Sequence, residues 1–194
     1  MRKRRLLAIA MLAYGMSGVM LRAQTSMWTI DAAHSSAEFQ VRHLGVSNVR
    51  GTITAIKGMV MLDEKDIAKS SVTATLDATT VNTSVDARDK DLKSENFFDI
   101  AKFPTLSFKS TSFQRTNGKL QMTGDLTLHG VTKPITLDVD GPAPPQKAMG
   151  KTVSGFSANG ILHRSDFGFG SKYGPPMVGD DVKITIDVEI DKQP

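Results

Sequence analysis

The sequence predicts an all-β chain, an antiparallel β-barrel of about eight strands with one short helix between strands; a two-sheet sandwich is the other arrangement that fits. Three observations predict it. Apolar and polar residues alternate strictly over long runs, as in Val182, Ile184, Ile186, Val188 and Ile190 against Lys183, Thr185, Asp187 and Glu189. Turn signals such as Asn117-Gly118 separate the runs. Helical spacing replaces the alternation once only, and there is no strand–helix–strand rhythm or internal repeat.

The strongest run is central. Leu120, Met122, Gly124, Leu126 and Leu128 share one face, His129 to Lys133 interrupt, and Ile135, Leu137 and Val139 resume. That is a hairpin with one buried face, and Pro134, which lacks a donor, belongs at the start of the returning strand. Trp28 and Ile30 open a short strand, and Asp31 to His34 form a bend. Ala37, Phe39, Val41 and His43 point one way along the next strand, and Gly45 to Asn48 make a polar break. A β-rich run follows from Val49 to Leu62, with Gly58 marking a bulge or bend. Asp63 to Ser70 form a charged turn. Val72, Ala74, Leu76 and Ala78 then alternate with polar residues. Between Ser84 and Asn96, Val85, Arg88, Asp89 and Leu92 recur at helical spacing, with Thr83 or Ser84 as cap. Phe97, Phe98 and Phe103 precede the strand that begins at Leu106 and Phe108. Gly141 to Pro145 make a stiff loop, Val153 to Leu162 a strand, and Phe167 to Pro176 a Gly-rich aromatic loop.

Residues 1–23 are expected to be a signal peptide, and residues 24–194 the barrel domain. Arg2 to Arg5, an apolar run from Leu6 to Leu21 and Ala23 have the pattern of a secretory leader, and the run is too short and too interrupted for a transmembrane anchor. The expected location is periplasmic or secreted, with no stable membrane anchor after cleavage. Five of the 24 basic residues lie in the leader, which leaves 19 against 20 acidic ones, so no basic stripe points to nucleic acid. The absence of cysteine excludes disulfides and thiolate chemistry.

Barrel closure leaves an interior filled by side chains or hollow enough for one ligand. The inward set holds large residues (Phe39, Val41, Leu76, Phe108, Met122, Leu126, Leu128, Phe156) among small ones (Ala37, Ala74, Gly124, Ala158, Gly160). Each alone reads as ordinary core. As a set, the small residues would leave room for a hydrophobic tail. The helix turns Arg88 and Asp89 toward the body of the protein, where they form a structural ion pair or cap, or where Arg88 meets a ligand's polar head. His34, His43, His129 and His163 have no metal-ligand spacing, so no metal site is expected, and Gly168 to Lys172 lack the context of a phosphate loop. No nucleophile motif is present.

Several motifs, in order, resemble the YceI-like proteins over essentially the whole chain after the leader. They are Trp28-Thr29-Ile30-Asp31 with His34-Ser35, Phe39 to His43, Val49-Arg50-Gly51, Arg88-Asp89 with Leu92, and Phe97-Phe98-Asp99. Phe103-Pro104, Phe108-Lys109-Ser110, Gly124 to Pro134, Arg164 to Gly168 and Val178-Gly179-Asp180 continue the match. The resemblance implies a lipocalin-like barrel in the periplasm that holds a polyisoprenoid, an isoprenoid quinone or a similar amphiphilic lipid, and no catalysis. It departs at Lys90-Asp91, where the family often carries a His. Together these readings name Phe39, Val41, His43, Leu76, Arg88, Phe97, Phe98, Phe108, Met122, Leu126, Leu128, Phe156 and Phe167 as ligand-binding residues. No cofactor is expected beyond a bound isoprenoid lipid, and the partner is a hydrophobic small molecule. A homodimer would have to use loops or barrel faces. Two alternatives stay open: an enzyme acting on an isoprenoid lipid through His43, Arg88 and Asp89, and a filled barrel acting as a stress or partner-binding module.

Overall fold

Strands β7 (Lys119–Leu128) and β8 (Val131–Asp140) form the central hairpin, in register from Leu120 opposite Val139 to Leu128 opposite Val131. The computed structural model describes residues 25–194, and the predicted leader lies outside them. Before the hairpin come β1 (Thr25–Ile30), β2 (Ser36–His43), β3 (Ser47–Ile53), β4 (Lys57–Asp63), β5 (Ser71–Asp77), helix α1 (Asp86–Lys93) and β6 (Thr105–Thr116). After it come β9 (Gln146–Ala148), β10 (Lys151–His163) and β11 (Val178–Lys192).

The pairings reduce these strands to eight staves. β1 and β2 both pair with β11, with Ile30 opposite Ile190 and Ala37 opposite Ile186, so they are two halves of one bent strand. β3 pairs with β2 and β4 with β1, which makes them the halves of the next stave. β9 is a short flap on β10. β10 and β11 pair from Val153–Asp191 to His163–Asp181 and close the ring, which excludes the sandwich. The result is the antiparallel eight-stave barrel with one short helix that the alternation predicts.

Three local expectations change. The turn between β7 and β8 is two residues, His129-Gly130 with φ 53° and 74°, and not five. Pro134 therefore sits inside β8, opposite Asp125. It is tolerated because β8 pairs with β10 only through Val139 and its two neighbours, leaving the other edge at Pro134 without a ladder to break. The long run from Val49 bends at Ala55 (φ 56°), not at Gly58. Gly58 lies in regular register opposite Ala74, where a Cβ would stand 2.0 Å from the Thr73 carbonyl oxygen, so close strand approach is what requires glycine there. In α1 neither Thr83 nor Ser84 caps the first turn; Val85 holds the cap position without a side-chain bond and is half exposed. The bonding runs backwards. Asp89 accepts from the Thr83 N–H (2.8 Å) and from its hydroxyl.

Chain direction gives the barrel two distinct ends. The β2–β3 turn, α1, the β7–β8 turn and the 164–177 segment lie at one end. The 64–70 turn, Asn117-Gly118 and the 141–150 loop lie at the other.

Candidate functional site

Inward side chains of the barrel line a chain of three cavities that ends at the α1 end. The innermost, about 120 Å³, has an apolar wall that includes Leu76 from β5, Phe108 from β6, Met122 and Leu126 from β7, and Phe156 from β10. The next, about 110 Å³, is bounded by Val41, Leu92, Phe97, Phe98 and Leu128. The third, about 220 Å³, is more polar and is bordered by Arg42, His43, Arg88, Asp91 and Tyr173. Phe39 borders all three, and each adjoining pair shares wall residues, so they lie in a row from the lumen to a mouth at the α1 end, called the tunnel below.

The room has a different origin from the one the sequence indicates. Gly124 is covered by a ring: a Cβ there would lie 2.3 Å from Phe108 Cζ. Gly160 sits against Leu137 Cδ2 in the same way, at 2.7 Å. These glycines seat larger neighbours and leave no space of their own. Gly51 does the same for Phe39, whose Cζ would be 2.4 Å from a Cβ. Ala37, Ala74 and Ala158 do border the innermost cavity. Lumen volume therefore comes from the alanines, while the glycines draw the phenylalanines back against the wall.

A roof of aromatic residues from two distant segments covers the α1 end. Phe97 stacks on Tyr173 (centroids 5.4 Å apart), and Phe98 meets Phe169 edge-on at 4.7 Å. Phe103 packs edge-on against His129 at 5.2 Å. Arg164 holds the later segment in place. It is 4% exposed, and its guanidinium donates to the carbonyls of Gly179 (2.9 Å), Phe169 (3.0 Å), Gly170 (2.7 Å), Val178 (2.9 Å) and Tyr173. Five donors matched to five carbonyls satisfy a buried cation without a carboxylate in direct contact. Asp180 ties the preceding turn by accepting from the Ser165 N–H (2.9 Å) and hydroxyl (2.8 Å). Burial pushes its carboxyl up, but those bonds and the nearby Arg164 and His163 outweigh burial and hold it below the ordinary carboxylate value.

At the mouth, Arg88 donates to the Thr83 hydroxyl (2.8 Å) and carbonyl (3.0 Å) while its side chain borders the opening. Arg88 thus pins Thr83 and borders the opening at once. His43 borders the same opening. Asp89 does not join them, because its carboxylate is turned to Thr83. Of the residues the sequence names, Phe167 is the one the structure leaves out of the tunnel. It is buried (1% exposed) beneath the roof, and Phe169 takes the lining position. Phe169, Tyr173, Leu92 and Arg164 were missed as site residues. Their signal was available in the Gly-rich aromatic run and in the lone arginine that precedes it.

At the far end, outside the tunnel, Asp31, His34 and Glu189 bring ligand atoms within 4.8 Å of one another. His34 Nδ1 lies 3.0 Å from Asp31 and 3.8 Å from Glu189. Glu189 joins this group only through the β1–β11 fold, so His34 spacing along the sequence could not reveal it.

A family model described as "YceI-like domain" matches residues 28–190, nearly all of the described chain. The chain belongs to the YceI-like family. A UPF0312 protein of Vibrio parahaemolyticus is 36% identical over 174 residues, covering 88% of this chain and 89% of that protein. The crystal structure of a Campylobacter jejuni YceI protein is 32% identical, with a TM-score of 0.69, covering 79% of this chain and 90% of that one. A polyisoprenoid binding domain from Saccharophagus degradans, implicated in plant cell wall breakdown, shares the fold at 13% identity and a TM-score of 0.61, covering 86% and 98%. A YceI-like barrel with an apolar interior suggests a binding protein; Asp89, turned to Thr83, does not border the opening with His43 and Arg88.

Proposed function

We propose that this protein binds a long-chain amphiphilic lipid of the polyisoprenoid or isoprenoid-quinone class and carries or stores it in the periplasm. The observation that carries the reading is the tunnel: apolar walls inside, and a mouth where Arg88 and His43 meet solvent. Each methylene removed from water contributes about 0.8 kcal/mol, so a dozen buried carbons supply ~10 kcal/mol before ordering costs. An apolar wall distinguishes tails poorly, so tunnel length and the contacts of the head group with Arg88 and His43 do the selecting. The fold shared with a polyisoprenoid binding domain supports the ligand class, and the leader expected at residues 1–23 supports the compartment. The filled-barrel alternative needs a solid interior, and the apolar cavity of about 120 Å³ weighs against it.

Native mass spectrometry of the purified exported protein tests the proposal. The expected result is a mass above that of the polypeptide by one lipid, or uptake of added isoprenoid by the empty form. A ligand-free mass with no uptake overturns it. Conversion of the isoprenoid to a product, abolished in His43→Ala, would restore the enzyme reading.

A further inference from the structure

The rim of the mouth carries an exposed apolar cluster, of which Met177 also borders the outermost cavity while Leu44 and Val46 lie outside it. Leu44 and Gly45 are the central residues of the turn in the three-residue β2–β3 connection, with φ 51° and 71°, a conformation that hairpin turns ordinarily give to Asn-Gly. The same protein does so at Asn117-Gly118, with φ 53° and 81°. At the mouth a bulky leucine holds the unfavourable position and is 52% exposed, and Val46 beside it is 76% exposed. The Leu44 N–H donates to the Met177 carbonyl at 3.1 Å, which ties the turn to the Gly-rich segment, where Met177 is 48% exposed. Cations flank this tip. Arg42 and Arg50 lie on the hairpin and Lys172 on the facing segment, all exposed, and Arg42 also borders the outermost cavity and donates to Asn48 Oδ1 (3.2 Å). No acidic residue lies between Phe39 and Asp63 or between Phe167 and Gly179. The far end has a like turn at Met149-Gly150, with φ 49° and 78° and an exposed Met149, but there the neighbouring Lys151 is taken by Asp191.

We propose that the mouth end docks on an anionic phospholipid surface, with Leu44, Val46 and Met177 entering the headgroup layer and Arg42, Arg50 and Lys172 facing phosphates. Apolar side chains flanked by cations, on two segments that themselves carry no acidic residue, complement such a surface by burial and by charge together; the acids of this end include Asp86 and Asp91, on α1. Docking there sets the tunnel opening against the bilayer, so a tail can pass between membrane and lumen without crossing water. This deepens the lipid-binding reading and rests on it for its purpose, not for its geometry.

Vesicle flotation tests it, with phosphatidylglycerol–phosphatidylethanolamine vesicles set against phosphatidylcholine alone. The protein should float with the anionic vesicles and not with the neutral ones. A Leu44→Asn, Val46→Ser double variant should lose about tenfold or more of that binding. Asparagine suits the turn, so the same variant should melt no lower than the parent. Arg50→Gln and Lys172→Gln should each cost about fivefold at low salt. Failure to float, equal binding to neutral vesicles, or unchanged binding by the double variant overturns the proposal. So does capture of a protein partner at this rim in place of vesicles. Native mass spectrometry keeps the two readings apart. Protein that carries lipid but never floats ends docking alone, while protein that floats but takes up no lipid ends the lipid-binding reading and leaves docking standing.

Discussion

The two ends of the barrel are built on different terms. At the far end, local chemistry and local geometry mostly agree, Met149-Gly150 with φ 49° and 78° being the exception. Asn-Gly occupies a turn that needs positive φ, and the Asp63 carboxylate accepts from the N–H groups of Lys65 (3.0 Å) and Asp66 (2.9 Å) to hold its own loop. Trp28 is wholly buried there, with its indole N–H on the Ser26 hydroxyl (2.8 Å). At the mouth the local rules give way. Leucine sits in an asparagine position, a helix starts without a side-chain cap, and a buried arginine strings a loop together through carbonyls. Departures from local preference concentrate where a molecule acts, since stability is what such a region can give up. One end keeps the barrel shut, and the other is arranged to open onto something.

Substitutions at the two ends should therefore separate stability from binding. Trp28→Ala should have the largest effect on folding, about 3–5 kcal/mol in denaturant titration. A loss below about 1 kcal/mol would move the centre of stability away from the far end. Arg164→Met comes next, at about 3 kcal/mol, because five carbonyls lose their donors together; Arg164→Lys should recover only part of it. Limited proteolysis should then cut the 168–177 segment first, and cleavage elsewhere would argue against Arg164 as its anchor.

Arg88→Ala should cost only about 1 kcal/mol of folding stability, through its bonds to Thr83, yet weaken lipid retention in native mass spectra. If the melting temperature alone falls, Arg88 is a pin for the 83–88 corner and nothing more. The smallest effect belongs to His34. Its hydrogen bond to Asp31, then the charges of Asp31 and Glu189, hold the imidazole above its ordinary value, so its contribution is complete in acid below that value and is lost as pH rises through the raised one. The partner Asp31 is held low, chiefly by His34 and then by the Ala33 N–H, so its share is present above the ordinary carboxylate value and is lost as pH falls through the lowered one. The pair thus contributes most at mildly acid pH. His34→Asn should flatten the fall in melting temperature between mildly acid and mildly alkaline buffer, and an unchanged slope would assign that fall to other groups.

Alternation by itself determined the staves, because the two faces of a strand are a local property. Ala37 through Ile190 point inward for the reason that every second side chain must. The Asn117-Gly118 turn was legible on the same ground, and the order of motifs carried the family. Where the hollow lies was a tertiary decision. Gly124 reads as space in one dimension and proves to be the seat of the Phe108 ring from the neighbouring strand; Arg164, given no role of its own by the sequence pattern, proves to be the buried tie of a loop. Pairing β1 and β2 to one strand, and bringing Phe97 to Tyr173, joins residues far apart in the chain. Contacts of that kind depend on which side chain fills which gap across the ring, and no pattern confined to a single strand contains that information.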